Sequence, residues 1–133
     1  MIFHNKFGIN SKKIIVGIHG WGGTNNTFLP IQKKLNNEFT MINFDLPGYG
    51  KSKKPSIWDL ENIVDSLAVE INKITNKEVD ILGNCSGALI SILLSKSKKL
   101  KVGNLFLIDP FSKAPWSVSY THLTLPTDRI GVD

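Results

Sequence analysis

Apolar residues along this chain fall in short blocks separated by polar segments, and the period within each block assigns its element. Lys13 to Ile18 (KIIVGI) is a continuous apolar run, as expected of a strand buried on both faces of a parallel sheet. Phe39 to Phe44, Val79 to Leu82 and Val102 to Ile108 have the same short, β-branched or aromatic character. Ile2 to Phe7 reads as a first strand, and Asn10-Ser11 as the turn leading out of it. Between the strands the period changes. Ile57, Leu60, Val64, Leu67, Ile71 and Ile74 step by three and four and form one buried helical stripe. Ser56 reads as the N-cap of that helix, with Asp59 completing a shortened capping box and Glu61 in the first turns. A second helix is expected over Asn25 to Asn37: Asn25 or Asn26 caps it, Pro30 fits a first turn, and Phe28, Ile31 and Leu35 share a face. Ala88 to Leu94 is apolar nearly all round, so its helix should be the most buried. Strands alternating with helices give an α/β fold, a mostly parallel sheet with flanking helices, whose sites lie at the carboxyl ends of the strands.

Three glycine-bearing loops fall at that edge: His19-Gly20-Trp21-Gly22-Gly23, Asp45 to Ser52 (DLPGYGKS), and Gly83-Asn84-Cys85-Ser86-Gly87. The last joins a strand directly to a helix. Such a turn crowds the residues two before and two after its apex, so both must be small, and Gly83 and Gly87 are. The apex, Cys85, is then exposed at a helix N-terminus, where dipole and N–H groups favour the anion that a cysteine nucleophile needs. The plainer reading is a buried structural cysteine. Ser86 is a rival nucleophile, but it would put Asn84 in the first small position, so Ser86 is better cast as the donor of a backbone N–H. Two further strings resemble nucleotide sites and fail on spacing. Gly48 to Ser52 ends like a phosphate-binding loop but has Asp45 where glycine is needed, and Lys53-Lys54-Pro55 where a helix should start. Gly20 to Asn25 lacks the final glycine or alanine of a dinucleotide fingerprint.

Composition narrows the picture. The 133 residues allow at most one domain. With one cysteine there is no internal disulfide, and one cysteine with three scattered histidines makes no zinc-ligand cluster, so no metal and no cofactor are expected. The residues from Met1 to Lys6 lack the charged start and long apolar core of a signal peptide, and no apolar run approaches a membrane span; a cytoplasmic location without a membrane partner is expected. The net charge of +5 comes almost wholly from lysines grouped near helix ends and turns, a solvated surface rather than a nucleic-acid site. From Val118 onward lysine and asparagine vanish and the only arginine, Arg129, appears. Val118 to Thr127 (VSYTHLTLPT) closely resembles the translation of the transposon end and adapter used in sequencing-library preparation. Residues 118–133 are therefore expected to be a non-native tail, unpaired with the sheet; the alternative is a native segment of unusual composition.

With HGWGG, DLPGYGKS and GNCSG in this order, roughly Lys12 to Pro110 resembles the α/β-hydrolase superfamily, in particular its single-domain esterase-like members. The resemblance implies that residues 1–117 are the N-terminal part of such a domain, that the chain is C-terminally truncated, and that Cys85 is the nucleophile. It also implies an oxyanion hole from the backbone N–H groups of Trp21 and Ser86, supported by His19, Gly20, Gly83 and Gly87, with His19 bracing the loop rather than acting as base. Cysteine in place of serine is a pattern shared with dienelactone-hydrolase-like members. The family's acid and base follow later strands. Of the residues present, His122 lies in the suspect tail, and Asp109 stands where only some members carry the acid; a strand-end turn is the better reading of Asp109. The implied activity is hydrolysis of an ester, thioester or lactone through an acyl-enzyme on a small-molecule substrate, with no turnover by this chain alone. The alternative is a non-catalytic relative that binds a ligand or partner.

Overall fold

The computed structural model describes residues 1–8, 12–35, 37–110 and, as backbone, 130–132. Strands β1 (His4–Phe7), β2 (Ile14–Ile18), β3 (Thr40–Phe44), β4 (Val79–Asn84), β5 (Val102–Ile108) and β6 (Ile130–Val132) form one sheet in the order β1-β3-β2-β4-β5-β6. β1 runs antiparallel to β3, and every other pair is parallel. Helices α1 (Leu29–Leu35), α2 (Leu60–Ile74) and α3 (Ser86–Lys96) connect the strands.

Alternation along the strands assigns the two faces. Val16, Ile18, Ile42, Phe44 and Ile81 join residues of α2 and α3 in the larger core, whereas Ile15, Met41 and Leu82 join Phe28 beside α1 in a smaller one. The central strands are therefore covered on both sides, which is why their sequences read as unbroken apolar runs. α3 crosses the middle of the larger core, with Ala88, Ile90, Ser91, Ile92 and Leu94 all buried.

Three expectations are corrected. The N-cap of α2 is Asp59, whose carboxylate accepts from the Asn62 N–H at 2.7 Å, and not Ser56. Ile57 and Trp58 are thereby left outside the helix and exposed, with the Trp58 ring lying on Gly48. α1 begins at Leu29, because Asn25 is drawn to Asp45 and the intervening residues form tight turns, Thr27 N–H to Thr24 O and Leu29 N–H to Asn26 O. Finally, Ile130–Val132 pair with Leu105 to Leu107, although the tail was expected to stay off the sheet. The outer edge of β5 offers unpaired backbone groups to any extended segment, and three residues of pairing demand no particular side chain. Residues 111–129 lie outside the described residues. Among those described, no helix is long and apolar enough to cross a membrane.

Candidate active site

β3, β2 and β4 are neighbours in the sheet, so the loops that leave their carboxyl ends stand side by side. Between β4 and α3 a single residue makes the turn: Cys85, with φ 56° and ψ −119°. A side chain in that region costs about 1–3 kcal/mol and persists only where the surroundings enforce it. The enforcement is visible on both sides. The Cys85 N–H donates to Ile108 O at 2.9 Å, and the Cys85 carbonyl accepts from the Ala88 N–H at 3.1 Å. A Cβ on Gly83 would lie 2.7 Å from Gly87 O and 2.8 Å from the Ala88 Cα. A Cβ on Gly87 would collide with Ile18 O and lie 2.5 Å from His19 O, because the first turn of α3 rests on the end of β2. The thiol is free and half-buried. Next to it, Ser86 opens α3, where first-turn amides have no intrahelical acceptor. The Ser86 Oγ is enclosed without a hydrogen-bond partner, so nothing among the described residues activates that hydroxyl.

The 19–25 loop packs directly on this elbow. A Cβ on Gly20 would lie 2.8 Å from both Asn84 O and the Cys85 Cβ. The Gly23 N–H donates to Gly20 O at 3.0 Å and closes a turn around Trp21, whose side chain is exposed. His19 is fully buried and committed at both nitrogens: Nδ1–H donates to Gly20 O at 2.7 Å, and Nε2 accepts from the Leu46 N–H at 2.9 Å. These partners require the neutral Nδ1–H tautomer. Burial holds the imidazole below its ordinary value, against the raising effects of Gly20 O and Asp45. The ring edge of Tyr49 lies against it at 5.4 Å.

Asp45 is the residue that sequence reasoning passed over. Its side chain is buried; Oδ1 accepts from the Asn25 N–H at 2.6 Å and the Asn25 Nδ2 at 2.9 Å, and Oδ2 accepts from the Lys51 N–H at 2.9 Å. Burial alone would raise the carboxyl, but the hydrogen bonds from Lys51 and Asn25, with His19 nearby, bring it below its ordinary value. In sequence it stood only as a strand-end aspartate before a Pro-Gly turn; the signal that marks it is its place between two buried polar partners, which the sequence does not display.

The remaining candidates are scattered. Asp109 is exposed with φ 47°, one residue beyond the carbonyl that holds the Cys85 amide, and its carboxylate has no partner among the described residues. His4 lies on β1, separated from β4 by β3 and β2, with its ring against Phe44. His122 is outside the described residues. Among the described residues no three His, Cys, Asp or Glu side chains are grouped to hold a metal ion. A depression of about 430 Å³ opens at the opposite, amino-terminal edge of the strands, lined by Lys6, Thr40, Lys73 and Lys77 among others. It is remote from the three loops.

Residues 13–131 match the family model described as alpha/beta hydrolase fold. The pimeloyl-(acyl-carrier protein) methyl ester esterase of Neisseria meningitidis serogroup C is 29% identical over 109 residues, covering 82% of this chain and 41% of that protein. Among solved structures, an esterase from Exiguobacterium antarcticum superposes with a TM-score of 0.74 at 27% identity, over 82% of this chain and 41% of its own. A membrane phospholipase A superposes at 0.78 with 26% identity, over 86% and 37%. The chain thus spans about two-fifths of the length of these relatives.

Proposed function

Because the chain belongs to the alpha/beta hydrolase fold family, we propose that Cys85 is the nucleophile of a carboxylic ester hydrolase, acting on an ester, thioester or lactone. One observation carries the reading: Cys85 occupies the positive-φ apex between β4 and α3 with Gly20 of the 19–25 loop in contact with its Cβ. Cys85 stands directly before the first turn of α3. Its sulfur adds to the acyl carbon, and the carbonyl oxygen takes up the negative charge facing the amides of Trp21 and Ser86. When the tetrahedral species collapses, the bond to the leaving oxygen or sulfur breaks, the leaving group takes a proton, and an acyl-Cys85 thioester remains. Water then releases the acid. Relatives named as esterases favour this substrate class.

Deacylation needs a base, and among the described residues no histidine reaches Cys85 in a form able to serve. His19 has its acceptor nitrogen occupied by Leu46 and its proton held by Gly20, so its role is to brace the loop. Asp109, one residue beyond β5, reads better as a strand-end turn residue than as the acid that orients such a base. The 133-residue chain is therefore proposed to accept one acyl group without turning over.

The test is a p-nitrophenyl acetate assay on this chain. A burst of one p-nitrophenol per chain, without a sustained phase and absent in Cys85→Ala, is the expected result. Sustained turnover would show that a base such as His19 or His4 serves after all. A thiol inert to both the ester and iodoacetamide would favour a ligand-binding relative without catalysis.

A further inference from the structure

The 19–25 loop is tied at both of its ends to one dipeptide, Asp45-Leu46, at the carboxyl end of β3. At its start, His19 Nε2 accepts from the Leu46 N–H at 2.9 Å and Nδ1–H donates to Gly20 O. At its end, Asn25 gives both its backbone N–H and its Nδ2 to Asp45 Oδ1, at 2.6 and 2.9 Å. The second carboxylate oxygen takes the Lys51 N–H at 2.9 Å, and Gly50, at φ +51°, brings its Cα so close that a Cβ would strike the carboxylate. The dipeptide is itself fixed from behind. Ser52 Oγ donates to Asp45 O at 2.6 Å and accepts from the Phe3 N–H at 2.8 Å. Asn25 Oδ1 also accepts from Asn5 Nδ2, which extends the network to β1.

We infer that Asp45 is a positioning residue for acylation: by clamping Asn25 it fixes the 19–25 loop against the elbow and so sets where the Trp21 amide stands relative to Cys85. The inference rests on the reading of Cys85 as the acylated group. Its physical basis is that the loop meets the elbow in van der Waals contacts, Gly20 against the Cys85 Cβ and His19 O against Gly87, whereas its far end is held by hydrogen bonds to a buried charge, which are about twice as strong as neutral ones. An amide displaced by a fraction of an ångström meets the developing oxyanion poorly, while an attack that passes through no oxyanion is indifferent to it.

That difference supplies the experiment. Acetylation by p-nitrophenyl acetate passes through an oxyanion; alkylation by iodoacetamide is a displacement at carbon that does not. Asp45→Asn replaces one acceptor oxygen by an N–H₂ donor against the donors already present. In that variant the acylation rate constant should fall by about 10-fold or more, since one lost oxyanion donor costs about 10²–10³, while alkylation stays within about 2-fold because the thiol is not moved. Asn25→Ala keeps the backbone bond and loses the side-chain one; it should show the same split at a smaller size, and it serves where Asp45→Asn does not fold. Amide hydrogen exchange of residues 20–25 should rise in both. An acylation rate unchanged in a folded variant, or a parallel fall in both reactions, overturns the inference. Should the wild-type thiol take no acetyl group, the proposed reaction fails and exchange alone decides: faster exchange of residues 20–25 in both variants supports the clamp, and unaltered protection overturns it.

Discussion

His19 and Asp45 meet where the loops after β2 and β3 touch, and each gives the protein an acid limit. For His19 the folded value is lowered from 6.5, chiefly by burial. The unfolded chain then binds the proton more tightly, so the contribution to stability is complete above pH 6.5 and is lost as pH falls through the window beneath it. For Asp45 burial raises the carboxyl, but the hydrogen bonds from Lys51 and Asn25 outweigh it and the folded value lies below 3.8. Its contribution is likewise present above the unfolded value and disappears as pH drops through the folded one. Urea midpoints measured against pH should therefore fall in two stages, one starting just below pH 6.5 and one below about 4, with the upper stage missing in His19→Gln. A midpoint constant from pH 7 to 5 in the wild type would contradict a buried neutral His19. Close approach gives a second expectation at this scale. Gly83→Ala sets a methyl group against Gly87 O and the Ala88 Cα, contacts of backbone that cannot yield, so a loss of at least about 1–3 kcal/mol in chemical denaturation is expected.

Among the elements, α2 offers the sharpest contrast between pattern and cap. Its stripe of Leu60, Val64, Leu67 and Ile71 is as the three-four spacing requires, but its first turn is set by Asp59 rather than Ser56. Asp59→Ala should cost about 1 kcal/mol of stability, whereas Ser56→Ala should be nearly neutral; equal losses would restore the Ser56 cap. The strands were legible because burial on both faces erases alternation, and α3 because it is apolar all round and lies in the larger core. The starts of α1 and α2 were not. Asn25 and Ser56 both have the chemistry of caps, and which one is used depends on a tertiary partner: Asn25 is taken by Asp45, and the segment before α2 is held outside the helix with Trp58 on Gly48. The same reason hid Asp45 itself. Glycines announce a sharp turn from sequence alone, but a carboxylate that bridges two loops is recognised only once the loops are together.

In the whole molecule, a mostly parallel sheet brings three loops distant in sequence to one edge, and the side chains there divide the work. Gly83 and Gly87 permit the turn, Gly20 brings the neighbouring loop to it, and His19 and Asp45 hold that loop from both ends. Cys85, half-buried on a strained backbone, has no side-chain hydrogen bond among the described residues and is the group left for chemistry in the proposed reaction. The most direct measurement is intact-mass analysis of the 133-residue chain after brief exposure to p-nitrophenyl acetate, followed by peptide mapping of the adduct. The account predicts a single acetyl group on Cys85 that persists through acid quench and is removed by hydroxylamine. An acetyl group on Ser86, or an unmodified chain whose Cys85 still reacts with iodoacetamide, would contradict it.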